Sequence, residues 1–282
     1  MIRHSSPTKW LSALALGLIQ AATPFWANAG VGSFLLEKAA GHALERAKSD
    51  NAAPPVAFPA GGSFEACRHL FPGGVPIDIK TVDQRWKLHA LCASNYAVVY
   101  SGLTKTPLLV VEKLSRAQLS DALDESRTDE FFHDTRIPKD ERAELSDYVG
   151  TGLDRGHMAP AADMPNQIAI AQSFALTNMV PQDPHNNRKV WSKVESDTRK
   201  YGRRANGDVF VFSGPLFKGQ ALTIGRNKVW VPTDLFKLVY DASSQRTWAH
   251  LLPNTAEARV GQPVDYATFV RETNWRPLGL QH

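Results

Sequence analysis

The sequence predicts an α+β domain built around a mixed, mostly antiparallel sheet. Strand-like runs cluster early and late in the chain, helical patterns lie between them, and strands and helices do not alternate regularly. The strand-like runs are rich in Val, Phe, Tyr and Trp and are bounded by Gly, Pro, Asp or Asn. These runs cover residues 96–100, 108–112, 209–213, 229–232, 235–240 and 247–252.

Helical spacing of apolar residues predicts three helices between these strands, at residues 116–125, 139–145 and 187–201. The chain has 282 residues, of which 43% are hydrophobic and 21% charged. That balance is ample for a sizeable core in one or two domains. The net charge of +4 is by itself weak evidence for a nucleic-acid partner.

The N-terminus resembles a secretory signal peptide over residues 1–29. Arg3 and Lys9 precede a short apolar run, and Ala27 and Ala29 give the small-x-small pattern that a signal peptidase cuts. The apolar run is too short for a typical membrane span, although an uncleaved anchor is the alternative. This interpretation predicts an exported protein, periplasmic or secreted, with no stable membrane insertion after cleavage.

Residues 30–61 predict a helix followed by a linker rich in Ala, Pro and Gly, so the main domain is expected at residues 62–282. The helix is either an accessory, partner-binding segment or one that packs on the domain. Cys67 and Cys92 are the two cysteines. In an exported chain an isolated pair is most simply a structural disulfide, and two buried thiols are the alternative.

The sequence Asp154-Arg155-Gly156-His157 places an acid, a guanidinium and an imidazole within four positions. A neutral imidazole titrates near physiological pH, so His157 is a candidate general base. The surrounding glycines and Pro160 favour an irregular turn that exposes the ring. A histidine in a loop is otherwise more often an ordinary surface or structural residue.

Asn187, about thirty residues further on, is a candidate metal ligand. Its amide oxygen suits Mg²⁺, which accepts one or two protein oxygens and keeps its waters; a helix N-cap is the alternative. Glu195 lies on the same helix, too far along for both side chains to bind one ion directly, so it would hold a metal-bound water. Pairing of Glu195 with Arg199 at i,i+4 is the alternative.

A basic segment, residues 188–204, carries seven Lys or Arg against two acids, a local charge of +5. Such a run suits contacts to a phosphate backbone, and Arg188, Lys193 and Arg199 are the candidate substrate-binding residues, together with Arg155. The alternative is a solvated helix face. There is no His/Cys cluster at zinc spacing and no EF-hand, so a bound metal would have few protein ligands.

Taken together, these motifs resemble the DNA/RNA non-specific endonuclease family over residues 88–254. Its active site is of the ββα-metal type, and the family includes secreted bacterial nucleases and mitochondrial endonuclease G. The matching pieces occur in the family's order, and they are residues 148–160, residues 178–182, Asn186-Asn187 with Trp191 and Glu195, residues 213–217 and residues 231–233.

The resemblance implies a role for each of these residues. His157 would activate water, Asn187 would be the single protein ligand of Mg²⁺, with Mn²⁺ as an alternative ion, and Glu195 would support the water shell of that ion. Arg155 and Arg199 would act at the phosphate as catalytic residues. The family also uses an upstream arginine, for which Arg127 and Arg136 both fit.

The resemblance implies hydrolysis that leaves 5′-phosphate ends. The attack needs no 2′-hydroxyl, so both DNA and RNA are expected substrates. Two other functions stay open from the residues alone: a non-catalytic extracellular nucleic-acid-binding protein, and a metal phosphodiesterase for small or lipid-linked substrates. The sequence does not decide whether the chain forms a homodimer or binds an inhibitor protein.

Overall fold

The computed structural model of the protein describes residues 56–80, 83–122 and 130–278. The predicted signal peptide, nearly all of the predicted N-terminal helix and linker, and Arg127 lie outside these residues. Within them, no helix is both long enough and apolar enough to cross a membrane.

A six-stranded antiparallel sheet forms the centre of the domain, with the strand order β1-β2-β3-β6-β9-β10. Its strands are β1 (Leu88–Cys92), β2 (Tyr96–Ser101), β3 (Thr106–Leu114), β6 (Val209–Leu216), β9 (Asp234–Asp241) and β10 (Arg246–Pro253). The chain leaves the sheet after β3 and re-enters it at β6, so the residues between these two strands form a separate layer.

That layer contains a two-stranded hairpin, β4 (Asp154–His157) with β5 (Met179–Gln182), and the helices α1 (Arg116–Asp121), α2 (Gln167–Ser173) and α3 (Ser192–Gly202). A single wide helical turn, Asn186–Trp191, leads directly into α3. A second hairpin, β7 (Leu222–Ile224) with β8 (Val229–Val231), and α4 (Tyr266–Thr273) complete the described strands and α-helices, and short 3₁₀ helices lie between them.

The sheet is buried on both faces, because a separate hydrophobic cluster packs against each of them. One face packs against Trp191 at the start of α3 and against Met158 after β4. The opposite face packs against α4 through Phe269 and against the short 3₁₀ helix Glu65–Leu70. A sheet covered in this way holds the β4–β5 hairpin and α3 on one rigid surface.

The predicted fold class is confirmed, and each of the six predicted strands is present. The predicted helix at residues 139–145 is wrong. These residues form turns, in which Glu141 accepts hydrogen bonds from Lys87 and His89, while the Ala143 amide donates to the Tyr100 hydroxyl at 3.3 Å. Tertiary polar contacts have overridden a local helical pattern.

Four strands of the structure were not predicted from the sequence: β1, β4, β5 and β7. Three of them are four residues or shorter, too short to show an alternating pattern. The predicted helix at residues 116–125 begins at Arg116, where the Ser115 hydroxyl caps it by accepting the Gln118 amide at 3.2 Å. It is described as far as Asp121.

The predicted disulfide between Cys67 and Cys92 is confirmed, with the two Cα atoms 5.7 Å apart. It ties the 3₁₀ helix Glu65–Leu70 to the end of β1 across a separation of 25 residues. In the chain-entropy model, closing such a loop stabilises the fold by roughly 3–4 kcal/mol. We expect the Cys67→Ser/Cys92→Ser variant to lose about that much free energy of unfolding in urea titrations. An unchanged transition midpoint would contradict this.

Candidate active site

A polar pocket of about 700 Å³ opens between the β4–β5 hairpin and the helix that ends in α3. Its walls combine the predicted motif residues with an aromatic side. The lining residues are Phe131, Tyr148, Val149, Leu153, Asp154, Arg155, His157, Pro160, Ala161, Ala162, Asn187, Arg188, Ser192, Glu195 and Arg199. The tertiary structure thus brings Arg155 and His157 together with Asn187 and Glu195, which lie thirty or more residues further along the chain.

His157 lies at the end of β4, not in the irregular turn expected from the sequence. Its backbone pairs with Met179 of β5. Gly156 is required here because a Cβ at this position would lie 1.8 Å from Oε1 of Gln182, on the opposite strand. The close approach of the two strands therefore explains the glycine of the motif, and strand pairing fixes the backbone that carries the imidazole.

Aromatic rings hold the His157 imidazole in place. The Phe174 ring meets it edge-on at a centroid separation of 5.0 Å, and Phe131 lies 5.8 Å away. Trp191 donates from Nε1 to the His157 carbonyl at 3.0 Å, which links β4 to the helix. These contacts orient the ring toward the pocket by packing on its sides.

Asn187 lies inside the helix and is not its N-cap. Its backbone amide already donates to the Asp183 carbonyl at 2.8 Å, whereas the Asp183 side chain accepts the amides of His185 and Asn186. The Asn187 side chain donates from Nδ2 to Oδ2 of Asp154 at 2.9 Å. Because the nitrogen is engaged, the amide oxygen is the group of Asn187 left to accept a cation.

Asp154 orients two residues of the helix at once. Besides Asn187, it accepts two hydrogen bonds from the Arg188 guanidinium, at 2.8 and 2.6 Å. Burial alone would raise the pKa of Asp154, but the bonds from Arg188 and Asn187 outweigh it and hold the pKa below its ordinary value. Asp154 is therefore an anion at neutral pH, and Arg188 reaches the pocket with its charge partly compensated.

Glu195 and Arg199 both line the pocket but do not pair with each other as the alternative interpretation supposed. Arg199 donates to the buried carboxylate of Asp163 instead. Oε1 of Glu195 is buried without a hydrogen-bond partner. Burial raises the pKa of Glu195 to about 7. An unsatisfied carboxylate oxygen beside the pocket can accept a hydrogen bond from a water bound to a cation.

The other predicted basic residues lie in different environments. The guanidinium of Arg155 stacks over the Phe131 ring at 4.1 Å and lines the pocket. Lys193 lies outside the lining and pairs with Asp197 one turn further along the helix. Its role in substrate binding stays a prediction.

Arg136, one of the two candidates for the upstream arginine, has a structural role. It binds Asp134 through two nitrogens and donates to the carbonyls of Pro59 and Cys92. It is absent from the pocket lining. These contacts hold the Arg136 guanidinium away from the pocket and disfavour it as the upstream arginine, while Arg127 lies outside the described residues.

Sequence reasoning missed the aromatic rings that pack on His157 and the anchor of Arg199. Phe131 and Phe174 belong to no motif, and Asp163 is a single acid in a short 3₁₀ turn. A phenylalanine pair at residues 131–132 is ordinary in a sequence, so nothing local separates these residues from core residues. Only their contacts with His157, Arg155 and Arg199 reveal what they do.

Few protein ligands are available for a cation. Across the described ranges, no group of three or more His, Cys, Asp or Glu side chains is placed to hold a metal ion. A site built on the Asn187 oxygen, with Glu195 in the same pocket, would suit a hard, hydrated cation such as Mg²⁺ better than zinc.

Asp154→Asn tests whether Asp154 positions the Asn187 amide for a cation. Loss of the anion should release Arg188 and loosen Asn187, so the affinity for Mg²⁺, measured by isothermal titration calorimetry, should weaken by about 10–100-fold. Asp197→Asn, which replaces an exposed acid on the same helix, should leave that affinity unchanged. Equal affinities for Mg²⁺ in Asp154→Asn and the unmodified protein would refute the positioning role.

Comparison with known proteins identifies the family to which this pocket belongs. The sequence model of the DNA/RNA non-specific endonuclease family matches residues 75–278. The chain belongs to the DNA/RNA non-specific endonuclease family. This match confirms the predicted family and, with it, the predicted class of protein, a nuclease.

Individual relatives are about one third identical to this member of the family. Endonuclease G of Bos taurus, a mitochondrial protein, is 31% identical over 242 residues, which cover 81% of this chain and 76% of the relative. The mitochondrial nuclease EXOG of Xenopus laevis is 36% identical over 199 residues, 67% of this chain and 51% of the relative. The chain thus spans about half the length of that EXOG relative.

A solved structure supports the same fold. The crystal structure of the EndoG/EndoGI complex superposes with a TM-score of 0.58 at 24% identity, covering 67% of this chain and 83% of that one. At this identity the likeness concerns the fold alone, and it agrees with the α+β class.

The prediction of export is wrong. The EXOG and Endonuclease G relatives are named as mitochondrial, which points to mitochondria instead of the periplasm or the exterior. The prediction rested on the composition of residues 1–29 alone, where Arg3 and Lys9 occur without an acidic residue. A shortage of acids is also a feature of mitochondrial targeting segments, so it does not by itself indicate export.

Proposed function

We propose that this nuclease hydrolyses phosphodiester bonds of both DNA and RNA with Mg²⁺, leaving 5′-phosphate ends. The observation that carries the proposal is the convergence of His157, Asn187 and Arg155 on one polar pocket. A base, an oxygen ligand for a cation and a guanidinium are the three groups that attack on a phosphodiester requires.

His157 is the proposed general base. Its ring lies on the pocket wall, held by Phe131 and Phe174, and this position suits it to accept a proton from a water bound in the pocket. General-base assistance of this kind contributes about 10²–10⁴-fold to the rate. Arg155, held over the Phe131 ring, would bind a phosphate oxygen beside it.

Asn187 is the proposed protein ligand of the cation, with its amide turned by Asp154. A bound Mg²⁺ would supply neutralisation of the phosphate charge and of the leaving oxygen. Glu195 would accept a hydrogen bond from a water of the ion, through the oxygen that has no partner in the protein. Mn²⁺ has the same preference for oxygen ligands and is the expected substitute.

The proposed substrates are long polyanions with either sugar. Arg155, Arg188 and Arg199 line the pocket, and further Lys and Arg residues follow along α3. Contacts of this kind bind the phosphate backbone and carry no base sequence information. The attack uses an external water, so a 2′-hydroxyl is not required and RNA and DNA should both be cut.

One experiment tests this function. The purified protein is incubated with supercoiled plasmid, single-stranded DNA and RNA, each with Mg²⁺, with Mn²⁺ and with EDTA. We expect cleavage of all three with either metal, no cleavage with EDTA, and 5′-phosphate ends by end-labelling. Binding without cleavage would favour the non-catalytic alternative. Cleavage in EDTA would overturn the metal proposal.

A further inference from the structure

A second cluster of charged side chains lies behind the pocket, between the sheet and α3. Lys237 of β9 and Glu112 of β3 are each 1% exposed, and Asp163 is 3% exposed. Glu195 and Arg199 approach the same cluster from α3. Charges at this depth are rare unless they are paired, so their arrangement calls for a physical reason.

Lys237 packs against Trp191, one helical turn before Glu195. Its Nζ donates to the Ser213 hydroxyl at 2.7 Å and lies 4.8 Å from the centre of the Trp191 ring. Trp191 is four residues before Glu195, which places both on the same side of the helix. The ammonium is thus enclosed by the sheet below and by Trp191 above.

The cluster holds three acidic side chains (Glu112, Asp163 and Glu195) and two basic ones (Lys237 and Arg199). Two ion pairs therefore leave one acidic side chain without a basic partner. Arg199 is bound to Asp163, so the Lys237 charge is left to Glu112 or Glu195. Both oxygens of Glu112 are buried without a hydrogen-bond partner, whereas Glu195 lines the pocket. Because water reaches the pocket side, ionising Glu195 is less costly than ionising Glu112.

The pKa directions agree with this assignment. Burial raises the pKa of Glu112 well above its ordinary value, and the neighbouring Asp163 adds to the rise. Burial also raises the pKa of Glu195, to about 7, and Lys237 is the strongest opposing charge. Of the two carboxyls, Glu112 is therefore the one that keeps its proton at neutral pH.

We propose that Lys237 is a positioning residue for Glu195: its buried ammonium is the fixed counter-charge that favours the ionised carboxylate of Glu195 at the pocket wall, while Glu112 stays protonated. The effect on cleavage rests on the proposed function, but the effect on stability does not. The other titratable or charged groups around the cluster are Asp163, Arg199, Arg203, His157 and His250.

The first test is thermal unfolding of Lys237→Met as a function of pH. Without Lys237 the pKa of Glu195 rises above the value of about 7 that it has in the unmodified protein, so the folded variant keeps the Glu195 proton to higher pH. The melting temperature of the variant should therefore lie further below that of the unmodified protein as pH increases from about 5.5 to about 9. The deficit should grow by about 3–5 °C for each pKa unit that Lys237 contributes.

The same substitution of Lys237 is then measured in a Glu195→Gln protein. In Glu195→Gln protein, adding Lys237→Met should change the melting temperature by the same amount at every pH in this range, because the titrating group is gone. The double variant carries one buried charge fewer than Lys237→Met at high pH. It therefore remains measurable even where the single variant is too unstable to fold.

Two matched controls separate charge from packing. Glu112→Gln replaces a buried neutral acid by a neutral amide and should leave the pH dependence as it is. Thr198→Val removes the hydroxyl of a buried residue on α3 without changing charge, and should lower the melting temperature equally at all pH values.

The second test measures cleavage. The Mg²⁺ concentration for half-maximal activity should rise below about pH 7 in the unmodified protein, and this rise should move to higher pH in Lys237→Met. Between the unmodified protein and Lys237→Met, the maximal rate at saturating Mg²⁺ should change less than this concentration does, because Glu195 is proposed to act on the water shell of the ion. An inactive unmodified protein would refute the proposed function while leaving the stability test valid.

Either of two results would overturn the inference. A pH-dependent deficit of Lys237→Met that persists in Glu195→Gln would show that Lys237 acts on another group. A pH-dependent loss of stability in Glu112→Gln as large as in Lys237→Met would show that Glu112 is the ionised partner of Lys237.

Discussion

His157→Ala is expected to lower the rate of plasmid and RNA cleavage by about 10²–10⁴-fold, because no other neutral base in the described pocket lining replaces the imidazole. The melting temperature should stay near that of the unmodified protein, since the ring lies at the pocket and fills no part of the central sheet. Initial rates with supercoiled plasmid, together with thermal unfolding, measure both effects.

His185→Ala is the matched control for this variant. His185 is exposed, lies near the start of the same helix as Asn187 and is absent from the pocket lining. Its replacement should leave both the rate and the melting temperature unchanged. A His157→Ala protein that is folded and retains the full rate would remove His157 from the role of base.

Asn187→Ala is expected to lower activity at ordinary Mg²⁺ concentrations by at least about 100-fold, and high Mg²⁺ should restore it poorly. Loss of an outer-shell partner alone costs about 10–100-fold, and here the oxygen ligand itself is removed. Titration of Mg²⁺ against initial rate checks the expectation. Full activity at low Mg²⁺ would exclude Asn187 as the ligand.

The neighbouring Asn186 is an informative contrast. It is buried. Its side-chain oxygen accepts a hydrogen bond from Nε2 of Gln182 at 2.7 Å, and its side-chain nitrogen donates one to the Pro253 carbonyl at 2.5 Å. Asn186→Ala leaves these buried groups unsatisfied and should cost about 1–3 kcal/mol of unfolding free energy. Its Mg²⁺ requirement should change much less than that of Asn187→Ala, so the two adjacent variants separate folding from metal binding.

The sequence predicted the elements whose pattern is local. The strands at 209–213 and 235–240 show β-branched and aromatic residues between turn signals, and the structure contains them in β6 and β9. The helix from Asn187 onward follows apolar spacing. The hairpin strand with His157 could not be predicted, because its four residues are Asp, Arg, Gly and His and its formation depends on pairing with β5.

The candidate site was predicted in the same uneven way. His157, Asn187, Glu195 and Arg155 were identified from motif and chemistry, and the structure places all four in one pocket lining. Phe131, Asp163 and Lys237 were not identified. Each acts through a partner distant in the sequence, as Asp163 does with Arg199 across 36 residues, and no local spacing signals such a contact.

What the sequence by itself determined is the chemistry available to this protein: an imidazole, an amide oxygen and several guanidinium groups, in an order that belongs to one nuclease family. What only the tertiary structure decided is how those groups are held. The Asp154 carboxylate turns the Asn187 amide, aromatic rings fix His157, and Arg199 is bound to Asp163 instead of Glu195. Orientation and charge pairing arise between segments far apart in the chain, so they exist only once the sheet and the helix have packed together.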